Sequence, residues 1–101
     1  MQYVVTAWDG TDADAKSRRQ AARPTHLERI RPFVDAGQIL VGGAIVDDEG
    51  AMIGSVLLVD FDTRADLDRW VAGDPYTTEG VWRSLDVRPY RAAVGTWMPE
   101  G

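Results

Sequence analysis

The sequence predicts an α+β protein with the ferredoxin-like order βαββαβ, in which a four-stranded antiparallel sheet carries two helices on one face. Three observations lead to this prediction. Four segments are rich in β-branched and aromatic residues, as strands are. The segments between the first and second and between the third and fourth have helical composition or apolar spacing. The chain has 101 residues, which suits a single domain spanning residues 1–101.

The first strand and the first helix are predicted from composition. Residues 2–8, from Gln2 to Trp8, form the strand, and Asp9-Gly10 ends it. Residues 12–22 are rich in Ala, Lys, Arg and Gln, which favour a helix.

A break is predicted at residues 23–25. The residue before a proline avoids the helical region, and Pro24 fits best in the first turn of a new helix. Thr25 and Glu28 have the spacing of a capping box. We therefore expect a kink or a restart here. A second helical piece follows, with Leu27, Ile30, Phe33 and Val34 on one face and Gly37 at its end.

The next two strands form a predicted hairpin. Residues 39–46 are the second strand, residues 47–50 are the acidic, glycine-bearing turn, and residues 52–61 are the third strand. Both faces of the third strand are largely apolar, whereas an antiparallel sheet with one face in water should alternate apolar and polar residues. We expect a second copy of the chain to cover the open face, which gives a homodimer with sheets face to face.

The last helix and strand complete the order. Thr63 opens the helix, and Gly73-Asp74-Pro75 closes it, with a short extra turn from Pro75 through Glu79. Residues 85–94 are the predicted last strand. Pro89 lies inside it and cannot donate to the ladder, so this strand should be at an edge, bulged or irregular.

Composition and charge exclude several classes of function. The net charge is −5, so the basic footprint that nucleic-acid binding needs is missing. The cluster of Arg18, Arg19 and Arg23 is interpreted as a solvated helix face. No apolar run reaches about 18 residues and no charged segment precedes one, so neither a membrane span nor a signal peptide is predicted. A cytoplasmic location is the default expectation.

The histidine and cysteine counts limit the chemistry further. The chain has no cysteine and one histidine, His26, which excludes a thiol nucleophile, a disulfide and a multi-histidine metal site. We therefore predict no metal and no cofactor. An unperturbed imidazole titrates near pH ~6.5, which makes His26 the leading candidate for a general base. At a helix start, the partial positive charge would disfavour the protonated ring.

Asp74 is the natural partner of His26. Pro75 holds Asp74 extended at a helix end, from which a carboxylate can reach across a cleft and orient an imidazole. The alternatives remain open at this point: a capping histidine without a catalytic role, and an Asp-Pro pair that is only a turn signal.

Five further side chains are candidates for binding a substrate. Arg23 and Arg88 are able to neutralise an anion by bidentate contacts, and Tyr76 and Trp8 to line a pocket. Ser55 lies in mid-strand between apolar neighbours, and a buried hydroxyl needs a hydrogen-bonding partner. The competing interpretation is a surface role for the arginines and core packing for the aromatic residues.

Taken together, several short segments resemble the YciI-like (YCII-related) family of small bacterial proteins. In chain order they are Tyr3-Val4-Val5, Arg23-Pro24-Thr25-His26-Leu27, Gly37-Gln38-Ile39-Leu40, Gly42-Gly43, Gly54-Ser55, Asp74-Pro75-Tyr76, Gly80-Val81 and Val87-Arg88-Pro89-Tyr90. Their order and spacing, rather than any one of them, carry the resemblance, which covers most of the chain.

The resemblance implies a dimeric ferredoxin-like α+β barrel and a His26–Asp74 pair in a cleft. Two departures from the family stand out. The loop from Asp47 to Gly50 is shorter than in many relatives, and the tail from Gly95 to Gly101, with Trp97, extends past the usual end and is placed to cover the cleft.

Two hypotheses for function follow. The first is a cofactor-independent lyase, isomerase or dehydrochlorinase that uses the His26–Asp74 pair to move a proton on a small acidic or phenolic substrate. One resembling member is a dehydrochlorinase that acts on a chlorinated hydroxyquinol. The second is a non-catalytic, dimeric module that binds a small ligand or assists a neighbouring enzyme. A cofactor-free oxygenase or a haem-associated role is a third and weaker option, since related barrels host both.

Overall fold

A computed structural model describes residues 1–96 of the chain. Its elements, in chain order, are β1 (Gln2–Asp9), α1 (Ala15–Asp35), β2 (Ile39–Val46), β3 (Met52–Asp60), α2 (Arg64–Gly73), α3 (Pro75–Thr78) and β4 (Trp82–Pro89). The sheet has the strand order β2-β3-β1-β4, and every neighbouring pair is antiparallel. The ferredoxin-like fold class is thereby confirmed. No helix within residues 1–96 is long and apolar enough to cross a membrane.

One face of the sheet forms the core. Tyr3 and Val5 on β1 pair in register with Val59 and Leu57 on β3, and all four side chains are buried. Alternation along each strand sends their neighbours to the other face. On that face, which we call the uncovered face, lie Trp8, Val41 and Val56, all of which are exposed. The sheet is thus apolar on both sides, although helices cover only one.

The predicted restart at residues 23–25 is wrong, because α1 is a single 21-residue helix that contains Pro24 and Pro32. A proline inside a helix removes one hydrogen bond and adds strain, a cost that tertiary packing overrides here. Ala22 precedes Pro24 and His26 follows it, and both are buried, so they anchor the helix to the rest of the protein on each side of the proline. His26 therefore lies near the middle of α1, so the argument from a helix N-terminus does not apply to it.

The last strand is shifted from its predicted position. It spans Trp82–Pro89 rather than 85–94. Trp82 pairs with Asp9 across a register shift at Trp8/Asp9, an irregularity that the sequence pattern does not reveal. As predicted, β4 is an edge strand, with Pro89 at its end. Trp97 of the tail lies outside the described residues.

Candidate active site

His26 and Asp74 meet at the centre of the candidate site. His26 comes from the middle of α1 and is 7% exposed, and Asp74 lies between α2 and α3 and is fully buried. The imidazole Nδ1 is 2.6 Å from the Asp74 Oδ2. Pro75 directly follows Asp74, whose backbone is extended, so the carboxylate is held at a fixed turn rather than on a flexible helix end.

Asp74 accepts hydrogen bonds from two further donors. The Arg29 guanidinium donates to its Oδ1 at 3.1 Å, and the Tyr76 backbone N–H donates to its Oδ2 at 3.0 Å. A buried carboxylate is costly unless such donors compensate it. Because a carboxylate only accepts, we assign the proton of the neutral imidazole to Nδ1, which leaves the lone pair on Nε2.

The imidazole is also held in place by aromatic rings. Tyr76 stacks on it, with ring centroids 3.8 Å apart and planes 8° apart. Trp82 meets the His26 ring edge-on at 6.0 Å and the Tyr76 ring at 5.4 Å. Burial raises the pKa of the Tyr76 phenol, an effect that the positive charge of Arg19 partly opposes. Tyr76 therefore remains protonated at neutral pH and retains its hydroxyl as a donor.

Arg19 organises the other end of the site. It is 5% exposed, and its Nη1 donates to both carboxylate oxygens of Asp9 at 2.9 Å. Its Nη2 donates to Ser55 Oγ at 3.0 Å, and the guanidinium lies 4.8 Å from the centroid of the Tyr76 ring. The indole N–H of Trp82 donates to the same Ser55 oxygen at 3.1 Å. These contacts connect α1 to β1, β3 and β4.

A cavity of about 350 Å³ lies between α1 and the strands β2 and β3. Its polar end is formed by His26 together with the Arg19 network. Its other end is largely apolar. The residues that line the cavity are Arg19, Arg23, His26, Leu27, Ile30, Arg31, Val34, Ile39, Gly42, Gly43, Ala44, Met52, Ser55, Leu57, Tyr76 and Trp82. The volume is in the range of small-molecule sites.

Gly42 on β2 keeps the apolar end of the cavity open. A Cβ at this position would lie 2.6 Å from the Leu57 Cδ2. A side chain here would therefore displace Leu57 and take up space in the cavity.

The structure brings together some of the candidate site residues and separates others. Arg23, Ser55 and Tyr76 border the cavity with His26. Trp8 and Arg88 do not. Trp8 alternates with the buried Ala7 and is 46% exposed on the uncovered face. Arg88 pairs with Val4 on that same face, and its guanidinium donates to Asp86.

Three site residues were missed by the sequence analysis: Arg19, Arg29 and Trp82. A signal for Arg19 did exist, because a separation of seven residues from His26 corresponds to about two helical turns and one shared face. The interpretation of the arginine cluster as solvated was wrong for Arg19. It holds for the neighbouring Arg18, whose guanidinium pairs with Asp12 at the surface.

The acidic and histidine side chains of the described residues do not gather into a metal site. Within residues 1–96, no group of three or more His, Cys, Asp or Glu is arranged to hold a metal ion.

Comparisons with known proteins give the chain relatives along most of its length. The family model of the YCII-related domain matches residues 1–91. Protein YciI of Escherichia coli O6:H1 is 34% identical over 97 residues, covering 90% of this chain and 97% of that protein. An uncharacterized protein of Haemophilus influenzae is 29% identical over 97 residues, which again cover 90% of this chain and 97% of that protein.

A solved structure shares the fold. It is the 5-chloro-2-hydroxyhydroquinone dehydrochlorinase of Burkholderia phenoliruptrix AC1100, in complex with 2,5-dihydroxybenzoquinone. Its TM-score is 0.79 at 22% sequence identity, covering 92% of this chain and 96% of that one. The match of the family model and the identity to protein YciI lead to one conclusion: this chain belongs to the YCII-related family.

Proposed function

We propose that this protein is an enzyme that moves a proton on a small acidic or phenolic substrate, with His26 as general base and acid and Asp74 as its orienting partner. One observation carries the proposal. The single imidazole of the chain is joined through Nδ1 to a fully buried carboxylate and also borders a cavity of small-molecule size. Such a pair fixes the tautomer and stabilises the imidazolium that forms when the base accepts a proton.

The proposed step uses Nε2. With Nδ1 donating to Asp74, Nε2 takes the proton from a substrate O–H or C–H, and Asp74 stabilises the charged ring until the proton is returned. The stacked Tyr76 ring restricts rotation of the imidazole, so its orientation is set before the substrate binds.

The charge of the cavity favours an anionic substrate. Arg23 and Arg31 border it, and neither forms a salt bridge within residues 1–96. On α1 they lie about 4.5 Å and about 7.5 Å from His26 along the helix axis. A carboxylate or phenolate would find a cation on either side of the base. The apolar end of the cavity suits a ring or a short alkyl group.

The fold neighbour suggests the first compounds to try. Because that protein is a dehydrochlorinase solved with 2,5-dihydroxybenzoquinone, a panel should begin with chlorinated and hydroxylated aromatic rings and then extend to small enol-forming carboxylic acids. Elimination, isomerisation and dehydrochlorination all require the proton transfer proposed for His26.

The test is turnover across this panel by wild type, His26→Ala and Asp74→Asn. We expect a loss of at least ~100-fold in kcat for His26→Ala, the usual contribution of a positioned acid–base group. Arg64→Ala is the control, because Arg64 is exposed and its salt bridge within residues 1–96 is with Asp68 on α2. Full activity of His26→Ala would overturn the proposal. Compounds that bind wild type without any turnover would favour the non-catalytic binding module.

We also propose that the chain forms a homodimer through the uncovered face. An exposed apolar sheet face that includes Trp8, Val41 and Val56 is costly in water, and a second copy of the same sheet is a self-complementary cover. The cytoplasmic location stays a prediction.

A further inference from the structure

The hydroxyl of Ser55 accepts two hydrogen bonds from its neighbours. Arg19 Nη2 donates to its Oγ at 3.0 Å, and Trp82 Nε1 donates to the same oxygen at 3.1 Å. Neither group is able to accept a hydrogen bond instead, because the nitrogens of a guanidinium and of an indole N–H act only as donors. The direction of both hydrogen bonds is therefore fixed by chemistry rather than by choice of rotamer.

This arrangement determines what the Ser55 hydrogen does. A serine hydroxyl has two acceptor lone pairs and one O–H donor. Both lone pairs are used by Arg19 and Trp82, so only the donor remains. No oxygen or nitrogen within residues 1–96 accepts it. Ser55 is 5% exposed and borders the cavity, so the cavity is the open direction for its O–H.

We infer that Ser55 is a specificity-determining residue, whose hydroxyl donates a hydrogen bond to an acceptor oxygen of the substrate, such as a carbonyl, an enolate or a phenolate. This rests on the proposed function in that the cavity is the substrate site. It adds the direction of one hydrogen bond, in which Ser55 donates and the substrate accepts. A ligand that presents only an N–H donor at this point meets another donor and leaves both groups unsatisfied, a mismatch that sites use to reject analogues.

The surroundings of Ser55 strengthen this donor. The Arg19 cation lies behind the oxygen, and a charged donor bonded to a hydroxyl polarises it in a buried site. Asp9 holds the guanidinium through both carboxylate oxygens and so fixes its position. Ser55 and His26 both border the cavity, so one small molecule is able to place an oxygen at Ser55 and a proton at His26.

Two groups of residues then have separate roles in the site. His26 and Asp74 handle the proton, whereas Ser55, backed by Arg19 and Trp82, binds the oxygen on which negative charge builds up as that proton leaves. Donors placed in advance at such an oxygen are a common source of transition-state stabilisation.

The experiment uses 2,5-dihydroxybenzoquinone as the probe, with affinity measured by calorimetry and the carbonyl stretching frequency of the bound probe measured by Raman difference spectroscopy. A hydrogen bond donated by Ser55 lowers that frequency, and Ser55→Ala should reverse part of the shift and weaken binding about tenfold. Ser55→Thr retains the hydroxyl and should retain the shift. Ser17→Ala is the matched control, because Ser17 is exposed and its hydroxyl donates to the Asp14 carbonyl on its own helix turn, away from the cavity lining.

The readouts separate this inference from the proposed function. Unchanged affinity and carbonyl frequency in a folded Ser55→Ala protein would overturn the role of Ser55, whatever the activity of His26→Ala. Failure of wild type to bind the probe would also contradict it. If Ser55→Ala does not fold, Arg19→Lys, with Ser55 in place, is the second test. Lysine lacks the planar guanidinium that donates to Asp9 and Ser55 from separate nitrogens, so the Ser55 hydroxyl should lose its orientation and the frequency shift should be lost. An unchanged frequency shift in Arg19→Lys would count against the role of Ser55.

Discussion

At the scale of single residues, Asp74 connects most of the site. Its carboxylate accepts from His26, Arg29 and the Tyr76 backbone while being fully buried. The sequence predicted the pairing of His26 and Asp74 through the family resemblance. It did not predict Arg29, because a charged residue on a polar helix gives no sign of the buried carboxylate that it will reach.

Removing this carboxylate should destabilise the fold. We expect Asp74→Ala to lower the free energy of unfolding by about 3 kcal/mol, since three donors lose their acceptor and Arg29 is left beside a buried gap. Urea denaturation followed by circular dichroism measures it. Asp68→Ala is the control, because that exposed carboxylate forms a surface salt bridge with Arg64, and its loss should cost less than about 1 kcal/mol. Equal losses in the two variants would count against a structural role for Asp74.

The buried phenol of Tyr76 should make the stability of the fold depend on pH. Burial raises the pKa of its phenol above the ordinary value of 10.0. Because the folded state then holds the proton more tightly than the unfolded chain, stability should fall as the pH rises above about 10. The difference in tyrosinate absorbance between wild type and Tyr76→Phe should show the Tyr76 phenol ionising above pH 10. Ionisation of Tyr76 below pH 10 would contradict this assignment.

At the scale of elements, α1 and β2 form the two walls of the cavity. Composition identified the strands, since β-branched and aromatic residues favour extended segments. The continuity of α1 was missed because local rules place a boundary at Pro24, whereas the contacts that keep the helix intact are long-range. The start of β4 at Trp82 was missed for a similar reason, since its pairing with Asp9 follows a register shift between the two strands.

The wall formed by β2 allows a test of the cavity itself. Gly42→Val should reduce the affinity for 2,5-dihydroxybenzoquinone by about tenfold or more, because the new side chain displaces Leu57 into the cavity. Calorimetry measures the affinity, and the melting temperature reports whether the fold is retained. Undiminished binding by a folded Gly42→Val protein would place the ligand elsewhere.

At the scale of the whole molecule, the sheet separates two functions. Its covered face holds the core and the cavity, and its uncovered face is the proposed dimer interface. The apolar pattern of β3 on both faces suggested this division from the sequence, because apolar residues on two faces need two covers. The sequence could not divide the candidate residues between these faces, and so it grouped Trp8 and Arg88 with residues that lie across the sheet from them.

The uncovered face should control assembly. We expect wild type to sediment as a dimer at micromolar concentration and Trp8→Arg to sediment as a monomer, since a charge is costly to bury among the apolar side chains of an interface. The variant should keep the circular dichroism spectrum of wild type, because Trp8 is half-exposed in the single chain. A wild-type monomer at this concentration would contradict the dimer.

The most direct test of the account is the protonation of the one imidazole. Because His26 is the single histidine, ¹⁵N NMR of uniformly labelled protein reports its two ring nitrogens without ambiguity. We expect the neutral ring of wild type to carry its proton on Nδ1. Asp74→Asn should shift the population toward Nε2–H, because the carboxamide is able to donate to Nδ1. A wild-type ring protonated on Nε2, with no change in Asp74→Asn, would contradict the His26–Asp74 pair as the centre of the site.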